Sequence, residues 1–108
     1  MKYQVFLTDD AAHDLKGIFN YIGSRDLPEK ADYVLDQMEE VFSGLSSSPQ
    51  RGTYPHELLA LGMREYREVY FKPYRIIYRV IAERVFVMVI ADGRRDMQVL
   101  LQRRLLQS

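Results

Sequence analysis

Cysteine is absent from this chain of 108 residues, and histidine occurs only twice, as His13 and His56. Without thiols the chain forms no disulfide, no thiolate metal site and no cysteine nucleophile. His13 lies on the outer face of a predicted helix and His56 in a predicted loop, positions typical of solvated surface residues. No set of His, Asp and Glu has the spacing of metal ligands, so we expect neither a metal ion nor another cofactor.

Motifs of common hydrolases and of membrane proteins are also missing. The sequence contains no Gly-rich phosphate loop, no nucleophile elbow and no serine suitably placed near a histidine, which disfavours hydrolysis by the usual triads or by zinc. No apolar run approaches the roughly 18 residues that a membrane span requires. The N-terminal apolar residues meet Asp9 and Asp10 too soon for a signal peptide. We therefore expect a cytoplasmic protein without membrane association.

The chain has no net charge, but its two halves differ in sign. Residues 1–60 carry ten acidic and five basic side chains, whereas residues 61–108 carry five acidic and ten basic ones. This asymmetry indicates either a polar molecule whose basic face suits an acidic partner, or charges that neutralise one another in the fold. With 47% hydrophobic and 28% charged residues, the composition is that of a single globular domain over residues 1–108.

The first part of the chain predicts a strand followed by a helix. Residues 2–7 alternate in hydrophobicity, as a half-buried strand does. Thr8 or Asp9 is expected to cap the helix. Gly23 and Ser24 are expected to end it, because glycine is the usual residue where a chain leaves a helix.

A second helix is predicted to begin at Asp26 and to run to Leu45. Asp26 is the expected cap, with Pro28 in the first turn and Glu29 as the carboxylate of a capping box. The serines before Pro49 stop the helix. Two amphipathic helices joined by so short a connection predict an antiparallel hairpin that lies on a sheet.

The C-terminal half predicts a loop over residues 49–63 with one helical turn at 57–61, then three strands and a final helix. The strands are Arg64–Lys72, Tyr74–Ala82 and Arg84–Ala91, and the helix is Asp96–Leu106. The last strand is apolar on both faces, with Val85, Val87 and Val89 expected on the same face, which indicates an interior strand covered on both sides. The helical hairpin would cover one side, and the last helix or a bound partner the other.

The predicted fold is therefore α+β. It consists of an N-terminal strand, an antiparallel helical hairpin packed on a four-stranded, mostly antiparallel sheet, and a short C-terminal helix.

Arginine and tyrosine are the side chains left to carry function. They interleave on and beside the predicted strands, the arginines as Arg67, Arg75, Arg79, Arg94 and Arg95 and the tyrosines as Tyr66, Tyr70, Tyr74 and Tyr78. Arginine binds phosphates and carboxylates through two parallel hydrogen bonds, and tyrosine rings stack on bases, so this set suits RNA or an acidic protein surface. The alternative is that the arginines protect the sheet edge and the tyrosines are half-buried core.

These segments resemble the RelE/ParE superfamily of toxins from bacterial toxin–antitoxin modules. The resemblance rests on Gly62-Met63-Arg64, on Tyr74-Arg75-Ile76-Ile77-Tyr78-Arg79-Val80 and on Gly93-Arg94-Arg95-Asp96, and it extends over essentially the whole chain. It implies a helical hairpin on one sheet face, a cleft on the other, and a cognate antitoxin that wraps the toxin. DNA contact would then be indirect, through the antitoxin.

The superfamily divides by target, and the resemblance carries both possibilities. RelE-type members cut mRNA on the ribosome with a basic set and a C-terminal Tyr or His, whereas ParE-type members inhibit DNA gyrase. If this chain were a nuclease, Arg67, Arg75 and Arg95 would match the basic set. One lysine that the family has on the strand corresponding to Arg64–Lys72 is missing here, and Leu101 stands where the C-terminal aromatic residue would be.

The missing residues favour the ParE-type reading. Cleavage of RNA through its 2′-OH needs one group to take a proton and another to give one, and arginine does neither at neutral pH. We therefore expect a gyrase inhibitor without catalytic residues, with the ribosome-dependent endoribonuclease and an inactive, binding-only member as alternatives. In each case the residues expected to bind the target or the antitoxin are Arg64, Tyr66, Arg67, Arg75, Tyr78, Arg79, Arg94 and Arg95.

Overall fold

The computed structural model describes residues 2–107 and has the predicted α+β architecture. Its strands are β1 (Gln4–Leu7), β2 (Arg67–Phe71), β3 (Tyr74–Ile81) and β4 (Arg84–Asp92); its helices are α1 (Asp9–Arg25), α2 (Pro28–Ser47), α3 (His56–Leu59) and α4 (Met97–Leu101), and α4 continues as a π-helical segment, Gln102–Leu106. The sheet order is β1-β4-β3-β2, with β1 parallel to β4 and the other neighbours antiparallel. As predicted, β4 is an interior strand.

The helical hairpin of α1 and α2 covers one face of the sheet. The hydroxyl of Thr8 caps α1 by accepting a hydrogen bond of 3.1 Å from the Ala11 amide, as the sequence predicts. The fully buried members of the core between hairpin and sheet are Ala11, Met38, Leu45, Ile76, Tyr78, Val85 and Val87. This core supplies most of the apolar burial that holds the two layers together.

The predicted boundary between the two helices is wrong by a few residues. Gly23 stays helical, and α1 ends at Arg25, where the Asp26 amide donates to the Ile22 carbonyl. The residue that precedes α2 is Leu27, which has no side-chain cap, so the expected capping box does not form. Asp26 instead pairs with Lys30 at 3.1 Å. Only two residues separate the helices, and Asp26 is used to end the first rather than to begin the second.

The second face of the sheet packs against α3 and α4. Leu58 of α3 and Met97, Leu100 and Leu101 of α4 pack with Ile77, Val89 and Ala91 of the sheet. We call this cluster the second core. Asp96 caps α4 by accepting from the Val99 amide at 3.2 Å. The last helix therefore provides the cover that the two-sided apolarity of β4 demanded.

A β-bulge at Met88 overturns the predicted faces of β4. Ile77 pairs with Val89 and Tyr78 with Val87, so Met88 is an extra residue opposite an uninterrupted β3. Side chains switch faces at a bulge. Val87 therefore points to the helical hairpin and Val89 to α4, although the simple alternation of a strand would place them together.

An ion pair secures the bulge and the C-terminal segment. Arg104 donates to both carboxylate oxygens of Asp14, at 2.9 and 3.0 Å, and to the Met88 carbonyl at 2.9 Å. Asp14 in turn accepts from the Ile90 amide at 3.0 Å. Backbone groups that the sheet leaves unpaired at the bulge are thus bound by side chains.

The predicted strand Arg64–Lys72 and the predicted helical turn at 57–61 are both shorter than expected. Arg64 to Tyr66 precede β2 as irregular backbone, and the helical turn ends at Leu59. No helix among residues 2–107 is long and apolar enough to cross a membrane.

Candidate functional site

Arg75, one of the arginines expected to bind the target or the antitoxin, lies inside the molecule. Only 6% of the residue is exposed. Its Nη1 and Nη2 atoms donate to the two carboxylate oxygens of Glu57, each at 2.7 Å, and its Nε atom donates to Glu68 at 2.7 Å. Two carboxylates therefore hold one guanidinium between α3, β2 and β3, and Arg75 has no free fork to offer a phosphate.

The charges of this cluster stabilise one another. The hydrogen bonds from Arg75 lower the pKa of Glu57 below the 4.5 of a free glutamate, although burial opposes the shift. The hydrogen bond to Glu57 raises the pKa of Arg75 further above its ordinary value. Both groups are charged at neutral pH, as a buried ion pair must be if it is to offset its desolvation.

Tyr78 and Arg67 organise the loop that precedes α3. Tyr78 is fully buried; its hydroxyl donates to the Pro49 carbonyl at 2.7 Å and accepts from the Gly52 amide at 3.0 Å. Arg67 donates to the Gly52 carbonyl at 2.8 Å and lies over the Tyr54 ring, 4.7 Å from its centroid. Burial raises the pKa of Tyr78, which makes its hydroxyl a poorer proton carrier at neutral pH.

The sheet separates the three arginines of the predicted nuclease set. Arg67 pairs with Tyr78 across β2 and β3, so its side chain lies on the face of the helical hairpin. Arg75 stands three residues from Tyr78 along β3 and therefore points to the opposite face. Arg95 is exposed and belongs to the turn after β4. Their side chains thus face three different environments.

The remaining predicted residues divide between the second core and the surface. Tyr66 is buried in the second core, and the Arg79 guanidinium lies 5.8 Å from the centre of its ring, a cation–π distance. Arg64 and Arg94 are exposed. Arg94 forms a two-pronged pair with Asp92 at 2.6 and 2.9 Å, and this bond lowers the pKa of Asp92 to about 2.

Arg94 and Arg95 border a groove of about 1020 Å³ on the described surface. It runs between the connected ends of α1 and α2, the β2–β3 turn and the turn after β4. Its aromatic lining consists of Tyr21, Tyr33, Phe71 and Tyr74, and its cationic lining of Lys30, Lys72, Arg94 and Arg95. We call this feature the tyrosine groove.

The rim of the tyrosine groove is fixed by main-chain hydrogen bonds. The Gly93 amide donates to the Pro73 carbonyl at 2.9 Å, which ties the turn after β4 to the β2–β3 turn. The Arg95 amide donates to the Asp92 carbonyl at 3.1 Å within the same turn. Burial and the nearby Asp92 carboxylate raise the pKa of Tyr74, so its hydroxyl stays protonated.

Four residues with a clear role at these places were missed from sequence. Glu57 and Glu68 neutralise Arg75, and Tyr21 and Tyr33 line the groove. The available signal was the polar side of each helix, because Tyr21 and Tyr33 lie outside the buried stripes and remain 61% and 57% exposed.

Comparison with known proteins places this fold among toxins. The family model described as ParE toxin of the type II toxin–antitoxin system, parDE, matches residues 5–97. No curated protein sequence matches this chain significantly.

Three solved structures share the fold at low sequence identity. The chromosomal ParDE system of P. aeruginosa aligns with a TM-score of 0.71 and 19% identity, over 84% of this chain and 96% of that one. The RelBE2 toxin–antitoxin complex of Mycobacterium tuberculosis aligns with a TM-score of 0.57 and 21% identity, over 85% of this chain and 99% of that one. A double arginine mutant of E. coli RelE in the free state aligns with a TM-score of 0.66 and 17% identity, over 97% of this chain and 100% of that one.

The family match extends over most of the chain, from the second residue of β1 through α1 to α3, β2 to β4 and the turn after β4. The solved structures have the same fold over nearly their whole length. This chain therefore belongs to the ParE toxin family of type II toxin–antitoxin systems.

Proposed function

We propose that this toxin inhibits DNA gyrase by binding it, without catalysing a reaction, and that a cognate antitoxin neutralises it. The burial of Arg75 carries the proposal. A RelE-type nuclease would use the arginine that Arg75 matches to bind phosphate, whereas here the Nε, Nη1 and Nη2 atoms of Arg75 already donate to Glu57 and Glu68. An arginine already paired with two carboxylates gains little from a phosphate.

The lack of a suitable proton carrier also supports a binding function. Tyr78 is buried with a raised pKa, and Tyr66 lies in the second core. Residues 96–106, the last helical segment, contain neither Tyr nor His. Arginine side chains stabilise a phosphorane but exchange no proton at neutral pH, so these groups alone give little general acid–base catalysis.

The family membership and two of the similar structures support a cognate antitoxin as partner. The structures from P. aeruginosa and M. tuberculosis are of toxin–antitoxin systems. We therefore expect that co-expression of the antitoxin encoded beside this gene restores growth in cells that express the toxin.

Two assays on one preparation test the proposed target. Purified toxin is titrated into a gyrase supercoiling reaction, and cellular mRNA is examined by primer extension after toxin induction. We expect growth arrest, inhibition of supercoiling at micromolar toxin, and messages without codon-positioned cuts.

Each alternative gives a different result. Normal supercoiling at micromolar toxin would overturn the gyrase assignment. Codon-positioned cuts would assign a RelE-type nuclease instead. Unchanged growth on expression without antitoxin would indicate a protein that only binds.

A further inference from the structure

The tyrosine groove has the composition of a protein-binding hot spot. Tyr21 and Tyr33 project from neighbouring helices with more than half of their surface exposed, and Tyr74 lies half-buried between them and the turn after β4. Tyrosine and arginine are enriched where binding energy concentrates, because a rigid ring buries a large area at little entropic cost. Large exposed rings around a concavity therefore indicate a surface that another molecule covers.

The charges of the groove favour an acidic partner. Lys30 is paired with Asp26, and Arg94 with Asp92, at the surface. Lys72 and Arg95 form no ion pair with a carboxylate of residues 2–107. Two cations that no carboxylate of the described residues pairs with thus border an aromatic surface, and complementary carboxylates on a partner would both steer and orient it.

The groove is also preorganised for binding. α1 and α2 pack on the sheet as one layer, and the Gly93–Pro73 hydrogen bond joins the two turns that form the opposite wall. A surface that is already ordered loses little conformational entropy on association.

We propose that the toxin binds its target protein through the tyrosine groove, and that the bound part of the target is an acidic segment that carries an aliphatic or aromatic anchor residue. The inference rests on the proposed function. A toxin that acts without chemistry acts through a surface, and the opposite sheet face is packed against α3 and α4. The anchor would enter between Tyr21, Tyr33 and Tyr74, with its carboxylates on Lys72 and Arg95.

A protein segment fits this groove better than a nucleic acid does. Three carboxylates, those of Asp14, Asp26 and Asp92, line the same concavity. Grooves that follow a phosphate backbone are predominantly positive along their length. Exposed tyrosines surrounded by a polar rim are instead typical of protein interfaces.

Two double variants test the groove in the gyrase supercoiling reaction. Tyr21→Ala with Tyr33→Ala removes the exposed rings from helical positions that tolerate alanine, and Lys72→Glu with Arg95→Glu reverses the unpaired charges. We expect each pair to raise the half-inhibitory toxin concentration by at least about tenfold. Antitoxin binding, measured by calorimetry, should be retained and so report a folded toxin.

Matched controls carry the same chemistry elsewhere on the surface. Tyr70→Ala removes a tyrosine that is 56% exposed on β2, outside the groove. Arg84→Glu with Arg103→Glu reverses two exposed charges outside the groove. Both controls should inhibit supercoiling as the natural chain does.

The outcomes separate this inference from the proposed function. If the natural toxin fails to inhibit gyrase, the proposed function is wrong; if it inhibits and the groove variants inhibit equally, the inference is wrong. Groove variants that still inhibit gyrase but escape the antitoxin would assign the groove to the antitoxin and overturn the inference. Single-stranded DNA that binds the natural toxin and not the groove variants would overturn it as well.

Discussion

At the scale of single residues, burial decides what an arginine does. Arg75 and Arg95 looked alike in the sequence, since each sits in a motif of the RelE/ParE resemblance. The fold places Arg75 between Glu57 and Glu68 and leaves Arg95 exposed. A pattern along the chain does not reveal such a difference, because the two carboxylates come from 18 and 7 residues away.

Replacing Arg75 should be costly for stability. In Arg75→Ala, Glu57 and Glu68 would remain buried without their counter-charge, and we expect the free energy of unfolding to fall by about 3–5 kcal/mol. Urea unfolding at pH 7 measures it. Arg94→Ala, which removes an exposed arginine, should leave the stability nearly unchanged. An Arg75→Ala protein with natural stability and no toxicity would show that Arg75 serves function instead.

Replacing Gly52 or Gly17 by alanine should change the stability of the fold in opposite directions. A Cβ at Gly52 would lie 2.6 Å from the Tyr78 hydroxyl and 2.7 Å from the Glu68 carbonyl oxygen. We expect Gly52→Ala to destabilise the fold by about 1–3 kcal/mol, because neither atom has room to move. A Cβ added at Gly17, in α1, would meet no atom within 4 Å apart from the helix's own backbone. Alanine there should stabilise the helix by about 0.5–1 kcal/mol. Thermal unfolding of the pair checks both signs, and equal shifts would contradict the close packing around Tyr78.

At the scale of elements, the bulge at Met88 changes what β4 presents to each layer. A strict alternation puts Val87 and Val89 on one face, yet the observed register sends them to different cores. The extra residue lets the apolar run of β4 serve both layers. Asp14 and Arg104 then bind the backbone groups that the bulge exposes.

Arg104 should hold the C-terminal segment in place. In Arg104→Met the bonds to Asp14 and to the Met88 carbonyl are lost, and we expect a loss of about 1–3 kcal/mol in stability. Hydrogen exchange of the α4 amides should quicken. The neighbouring Arg103→Met replaces an exposed side chain and serves as the control. Unchanged exchange in Arg104→Met would show that apolar packing alone holds α4.

At the scale of the whole molecule, stability should depend on pH through Glu57. Its pKa is below 4.5 in the folded chain, so the stabilisation is fully present above that pH and is lost as the pH falls through the lowered value. Urea unfolding between pH 7 and pH 3 should therefore show declining stability. In Glu57→Gln the stability at pH 7 should be lower, and the gap to the natural chain should narrow on acidification.

A control separates this effect from general acid sensitivity. Glu39→Gln changes an exposed glutamate of α2, and its stability should follow that of the natural chain at every pH. If the Glu57→Gln gap stayed constant with pH, the Arg75 cluster would not be the source of the dependence.

The sequence alone determined the order and type of the elements. Hydrophobic periodicity located α1, α2 and the three later strands, and the two-sided apolarity of β4 indicated its interior place. Helix ends were predicted less well, because Asp26 is a favourable residue type for beginning the second helix but in the fold its amide ends the first. The resemblance in three short segments was confirmed as membership of the ParE toxin family.

Only the tertiary structure decided which side chains remain available for function. The same arginine and tyrosine types are internal at Arg75 and Tyr78 and exposed at Arg95 and Tyr21. Local sequence specifies the backbone through short-range propensities and the alternation of faces. Burial, ion pairing and the shape of a groove depend instead on residues distant in the chain. The tyrosine groove, formed by two helices and two turns, exists only once those segments are packed together.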